Sequence, residues 1–217
     1  MRTSLCLILA MGVFPGILQA RSALTIGGGL NVSSTSNDGL FQPASPPNPP
    51  GYTPHPSPRD GYNVGIGYER DALDWLTLGA ELNLETRGED ATVTHPNPSY
   101  PTVEVELNML YLQVPILATV KHAFGPLSVG VYGGPSVSEL ISGERKTWRN
   151  GVPQPTVKPD VNHTDLGLET GADFGWTFGK AALFLRPGYY WGLLDFSEDH
   201  TAKHRVGKIR LGYKFFL

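Results

Sequence analysis

The sequence predicts an all-β protein in which eight antiparallel strands run up and down and close into a barrel. Three observations predict it. Apolar residues recur at every second position in eight separate runs, and no apolar period of 3.6 emerges after residue 20. Gly (26) and Pro (19) together fill about a fifth of the 217 residues, which a helical bundle does not tolerate. The connections between the runs alternate between long and short.

A leader precedes the first run. Arg2 gives a positive start, residues 5–18 carry no charge, and the character changes after Gln19-Ala20. Residues 1–20 therefore read as a secretory signal peptide cleaved after Ala20. The apolar run falls short of the roughly 20 residues a spanning helix needs. The competing reading is a buried N-terminal helix. The mature chain, residues 21–217, is then a single exported domain without cysteine, because Cys6 is the only one. It can form neither a disulfide framework nor a Cys-based zinc site.

The first run sets Leu24, Ile26, Leu30 and Val32 against Thr25, Gly27, Gly29 and Asn31. The second sets Tyr62, Val64, Ile66 and Tyr68 against Asn63, Gly65, Gly67 and Glu69. In the third, Leu76, Leu78, Ala80, Leu82 and Leu84 alternate with Thr77, Gly79, Glu81, Asn83 and Glu85. The fourth opens with Val103, Val105 and Leu107 on the apolar face and Glu104, Glu106 and Asn108 on the polar one. It then turns apolar on both faces around residues 111–116, where Pro115 predicts a bulge or a break in the ladder. The fifth places Leu127, Val129, Val131 and Val137 against Ser128, Gly130, Gly134 and Ser136. The sixth is the most regular: Leu166, Leu168, Ala172, Phe174, Trp176 and Phe178 alternate with Asp165, Gly167, Glu169, Gly171, Asp173 and Gly175. The seventh has Leu183, Leu185, Tyr189, Trp191 and Leu193 against Phe184, Arg186, Gly188 and Gly192. The eighth has Ile209, Leu211, Tyr213, Phe215 and Leu217 against Lys208, Arg210, Gly212 and Lys214.

The long connections are 34–60, 88–102, 142–163 and 195–203; the short ones are 71–74, 121–126 and 179–180. The first long connection carries eight prolines between Pro43 and Pro58. This excludes strand and helix there and predicts extended polyproline conformations. A structureless loop of that length sits badly in a compact soluble domain. Long external loops and short periplasmic turns are the layout of an outer-membrane barrel.

Alternation alone does not say which face points outward. A soluble barrel of the lipocalin kind turns its apolar face in; a membrane barrel turns it out. Four features favour the membrane. The runs reach the roughly 9–11 residues that a tilted membrane strand needs. Glycine accumulates on the polar face, where an eight-stranded lumen is barely wide enough for side chains. Tyr62, Tyr68, Trp176, Tyr189, Trp191 and Tyr213 lie near the ends of the apolar faces, as in the aromatic girdles of membrane barrels. Charge is absent from the middle of those faces, where a Lys or Arg costs about 2–4 kcal/mol.

The last eight residues carry Arg210, Gly212, Phe215 and Leu217. That pattern resembles the C-terminal signal by which outer-membrane barrels are recognised for assembly, with Leu in place of the commoner terminal Phe. The stretch 110–117 (Leu-Tyr-Leu-Gln-Val-Pro-Ile-Leu), followed by Gly130 and Gly133-Gly134-Pro135, resembles the PorT-like family of outer-membrane β-barrel proteins. The resemblance covers residues 21–217. It implies a small eight-stranded barrel with no catalytic residues and a place in the outer membrane of a diderm bacterium.

The polar faces hold Glu69, Glu81, Glu85, Glu104, Glu106, Asp165, Glu169 and Asp173 against Arg87, Arg186, Lys208, Arg210 and Lys214. In an eight-stranded barrel the basic eighth run lies across the lumen from the acidic third and fourth. The expectation is an ion-paired polar network filling the lumen, since a charge taken from water needs a partner. A catalytic carboxylate pair is the weaker alternative, because the carboxylates have no focus. His200 and His204 have a metal-binding spacing only on a helix, and Asp160, His163 and Asp165 form the nearest approach to a hydrolytic constellation. Gly27-Gly28-Gly29 precedes no helix and is not a phosphate loop. No catalytic, metal or cofactor site is expected. A formal net charge of −3 without a basic patch leaves nucleic-acid binding unsupported. The expected partners are outer-membrane lipid, the barrel-assembly machinery, and an extracellular or envelope protein reached through the loops. The expected role is structural or surface interaction. Porin-like transport of small solutes and, behind it, lipid modification are the alternatives.

Overall fold

The computed structural model describes residues 21–36, 52–195 and 202–217. The expected signal peptide, the prolines between 43 and 50, and His200 lie outside them. Among the described residues there are nine strands: β1 (Ser22–Thr35), β2 (Thr53–Leu73), β3 (Leu76–Thr94), β4 (Val103–Phe124), β5 (Leu127–Arg149), β6 (Val152–Pro153), β7 (Thr164–Phe178), β8 (Ala181–Gly192) and β9 (His204–Phe216). β6 is a two-residue piece against Trp148 and Arg149 at the tip of β5. The other eight form the ring. Each pairs antiparallel with its sequence neighbour, β5 with β7, and β9 returns to β1, so the ring closes. At one end the strands turn within two residues. Gly125 (φ 64°) and Gly179 (φ 61°) open two of these turns in a backbone region that glycine enters without strain.

Over the lower part of the barrel the faces sort as expected. Leu24, Ile26, Val64, Ile66, Leu82, Val131, Phe174 and Leu211 point outward and are exposed, while Thr25, Asn63, Glu81, Asn83, Glu169 and Arg210 point inward and are buried. On β4 the outward apolar band runs from Leu110 to Val120. Ten residue-to-residue steps of about 3.3 Å each, tilted by about 40°, make a band about 25 Å tall, the height a bilayer requires. Tyr68, Trp176 and Tyr213, with Trp75, Phe178 and Phe215, lie outward toward the short turns, and Tyr62 and Trp191 toward the other end.

Above the band the faces exchange character. On β3 the outward series passes from Leu82 and Leu84 to Asp90 and Thr92, and on β4 from Leu110 to Asn108, Glu106 and Glu104. The inward series passes from Glu81, Glu85 and Gln113 to Ala91, Val93, Val103, Val105 and Leu107, all buried. Val103, Val105 and Leu107, assigned to the lipid face, therefore point inward, and Glu104 and Glu106, assigned to the lumen, point outward. The alternation is continuous; the solvent outside changes from hydrocarbon to water. Ala91, Val93, Val103 and Val105 form one apolar cluster with Tyr52 against it, and Leu107, Met109, Tyr111 and Ala202 a second with Leu140 and Val161.

This upper wall is built from residues expected to be loop. Residues 53–60, 88–94 and 142–149 continue β2, β3 and β5, because the apolar inner face gives them a core to pack on. Pro54, Pro56 and Pro58, assigned to a non-strand loop, pair with Val93, Ala91 and Glu89 of β3. They occupy alternate positions, so their ring nitrogens all face the side away from β3. The β1–β2 pairing ends at Ser33 and Arg59, and no described strand pairs with that side, so the missing N–H groups cost no ladder bond. At Pro115 the expected break occurs: the β3–β4 pairing stops at Ala80–Ile116 and resumes at Asn83–Gln113 in the same register. The true register shift lies higher, between Leu110 and Tyr111 against β5.

Candidate functional site

Among the described residues the ion pairs of the lumen join five cations and six carboxylates at three levels, of which the upper two share Glu85. Period two puts each of these side chains on the inner face of its strand, and the narrow ring brings opposite walls into contact. Nearest the short turns, Lys214 Nζ lies 2.9 Å from Asp173 Oδ2 and 3.1 Å from Glu69 Oε2. Arg186 binds Asp173 at 2.6 Å and Glu81 at 2.7 Å, and also donates to Glu69. Arg210 donates to Glu81 from the far wall. In the middle group, Lys208 Nζ sits 2.7 Å from Glu85 and 3.1 Å from Glu169 and donates to Gln113, whose amide donates to Glu169.

At the top, Arg87 Nε reaches Glu85 at 2.7 Å, Nη1 reaches Asp165 at 3.1 Å and Nη2 donates to Ser138. The Tyr190 hydroxyl donates to Asp165 at 2.8 Å, and Tyr111 shares a 3.1 Å hydrogen bond with His204. Arg87 lies between the rings of Tyr111 and Tyr190, 4.7 and 4.2 Å from their centroids. Arg87 is thus held by carboxylates at its edge and by two aromatic rings, and Arg186 likewise lies 4.9 Å from the Phe184 centroid and 5.8 Å from that of Tyr132, which offsets their desolvation.

The structure brings together Glu81, Glu85, Glu169, Asp173, Arg186, Lys208, Arg210 and Lys214, with Glu69, Arg87 and Asp165. Glu104 and Glu106 are left out. Glu104 is exposed, and Glu106 joins Arg59 on the outer surface at 2.8 Å. Of the aromatic members of the lumen, the alternation placed Phe184 inward with Arg186, while Tyr132 and Tyr190 escaped the sequence reading. Phe184 lies against Gly27 and Gly212, Tyr190 against Gly167, and the Tyr132 hydroxyl against Gly171 and Gly188. An inward ring thus occupies space that two neighbouring strands free by carrying glycine. The polar-face glycines were the available signal.

The candidate hydrolytic group is divided. Asp165 is buried in the lumen on Arg87 and Tyr190, while His163 is exposed at the outer end. Among the described residues no cluster of three or more potential metal ligands occurs. A cavity of about 240 Å³ at the short-turn end is lined by Arg21, Asp71, Lys121 and Thr77 and reaches Glu69, Asp173 and Lys214. Chemically, the arrangement neutralises charge across a filled interior.

A closed barrel with an apolar belt, aromatic girdles and an ion-paired interior is an integral β-barrel of the outer membrane. The model of the family described as outer membrane protein beta-barrel domain matches residues 15–198, and the chain belongs to that family, whose place is the bacterial outer membrane. No curated protein matches the sequence. Among solved structures, the chain is similar to Ail, the attachment invasion locus protein of Yersinia pestis, at 12% identity, over 91% of this chain and 100% of that one, with a TM-score of 0.45. It is similar to Neisserial surface protein A at 13% identity, 89% and 96% coverage and a TM-score of 0.46. It is also similar to a major outer membrane protein of Thermus thermophilus at 12% identity, 90% and 99% coverage and a TM-score of 0.48.

Proposed function

We propose that this protein is a non-enzymatic outer-membrane barrel whose filled lumen serves as an anchor and whose upper wall and loops meet partners outside the cell. The observation that carries the reading is the lumen network itself. Arg186 and Arg87 are almost wholly buried, and each ties carboxylates from different strands across the axis. Side chains that fill an eight-stranded lumen leave no aqueous channel, so the porin-like alternative lacks a path. The wall above the belt adds a water-facing outer surface that anchoring alone does not require.

The same reading takes residues 1–20 as the export signal and assigns the 110–117 stretch to the PorT-like branch of the family. It takes Arg210, Gly212, Phe215 and Leu217 as the signal for the barrel-assembly machinery; Phe215 and Leu217 face outward at the end of β9. Its partners are outer-membrane lipid, that machinery, and an extracellular or envelope protein, with no role for nucleic acid. The test is planar-bilayer recording on the purified, folded barrel. Silent membranes at protein loads where a porin conducts are expected; reproducible unitary steps would overturn the closed-lumen reading.

A further inference from the structure

Cations that this fold shields from water are mostly matched to acceptors; half-buried Arg205, for example, donates to the Gly192 and His204 carbonyls. The lumen set has its carboxylates, Lys121 holds Asp71 at 2.6 Å, and Arg59 bridges Asp90 and Glu106. Arg145 on β5 breaks the pattern. It stands directly opposite Leu107 of β4, and residues opposite one another share a face. Leu107 is buried inside the wall, so Arg145 leaves the sheet on the inner side. The next residue, Lys146, points outward toward Glu106, 3.8 Å away.

The position is fixed. Arg145 N–H donates to the Val157 carbonyl at 2.8 Å, and its own carbonyl accepts from Val157 N–H at 3.1 Å. Pro159 lies 2.9 Å from where a side chain on Gly143 would begin, closing the inner face one step below. Yet among the described residues the guanidinium meets neither a carboxylate nor a hydrogen-bond acceptor. Burial without a countercharge lowers its pKa from the ordinary guanidinium value. A half-buried unpaired charge is costly, and its planar fork of donors matches two oxygens of an oxyanion. Val157 beside it is exposed.

We propose that Arg145 anchors an oxyanion-binding site at the extracellular mouth, taking a carboxylate, phosphate or sulfate group carried by an external ligand. This rests on the surface-interaction reading above and names the chemistry of that surface. The test uses the full folded barrel in a non-ionic detergent, titrated separately with sodium acetate, phosphate and sulfate at ionic strength held constant with chloride. The Arg145 Nε–H resonance and calorimetry are the readouts. A saturable shift of that resonance in at least one arm is expected, and the arm that saturates first identifies the group. Arg145→Gln should weaken binding by about tenfold or more, the scale of a charge-assisted hydrogen bond. Arg145→Lys, which keeps the charge without the fork, should fall between. Arg149→Gln, at the exposed hairpin tip, should stay within about twofold, since an exposed charge contributes little. Heat-modifiable gel mobility establishes that each variant is folded, and Arg145→Lys serves if the Gln variant is not. No saturable shift in any arm, or equal losses in the Arg145 and Arg149 variants, would overturn the site. Silent bilayers alongside that failure would remove the oxyanion site and leave the closed anchor standing.

Discussion

The belt and the wall above it share strands, parity and alternation, yet their polarity is opposite. On β3, Leu82 faces hydrocarbon while Glu81 and Glu85 fill the lumen; ten residues on, Thr92 faces water while Ala91 and Val93 form a core. A period of two says only that the two faces differ. Which face is buried depends on the medium outside, and that medium changes between Leu84 and Asp90 on β3 and between Leu110 and Asn108 on β4. The belt is a membrane protein, and the wall is a soluble β-sheet continuous with it.

The largest expected effect tests the inside of the belt. Arg186→Met leaves Glu69, Glu81 and Asp173 short of their shared cation. Removing one partner from a buried ionic set costs about 3–5 kcal/mol. Urea unfolding followed by heat-modifiable mobility should show a much lower midpoint or no folded band. An unchanged midpoint would mean that water or Lys214 and Arg210 neutralise the group without it.

The outside comes next. Leu82→Lys and Thr92→Lys place the same charge on the same face of the same strand. The first should cost about 2–4 kcal/mol; the second should stay within about 0.5 kcal/mol. Equal costs in lipid vesicles would erase the boundary between belt and wall.

How far the sequence reaches follows from the same contrast. The eight runs, the ring order and the lumen cations of β8 and β9 were legible because hydrocarbon forces a clean alternation. Glu104 and Glu106 were misassigned because nothing in the alternation of β4 marks where the bilayer ends; the outward change from Leu110 to Asn108 is the mark, visible only once the faces are known. Strand in 53–60, 88–94 and 142–149 was hidden because its core comes from other strands, with Val93 packing beside Val103 and Val105. The assignment of the glycines to a narrow interior was sound, but which of them meets Phe184, Tyr132 or Tyr190 emerges only from cross-strand register.

Those glycine positions give a smaller effect, confined to the belt. A methyl group at Gly212 would press hardest on the Ile26 carbonyl oxygen, and would also lie 2.5 Å from Phe184 Cζ and 2.7 Å from Gly27 Cα. Gly212→Ala should therefore cost about 1–3 kcal/mol, the range for overpacking. Phe184→Leu in the same chain should recover part of it, which a double-mutant cycle on urea midpoints measures. Additive losses would show that the ring and the glycine are energetically independent.

The smallest effect on stability belongs to the wall, and it reads out in association. Pro54, Pro56 and Pro58 occupy strand positions whose nitrogens face away from β3. Replacing each with Thr costs about 0.4–1 kcal/mol through the freer unfolded chain, while the ladder with β3 stays whole. The replacements add three N–H donors to an edge that presented acceptors alone, and a strand edge with both groups is a template for pairing. The triple variant should form concentration-dependent dimers in analytical ultracentrifugation under conditions where the parent is monomeric. If it stays monomeric while losing that stability, the edge is already covered, and the prolines serve the unfolded state alone.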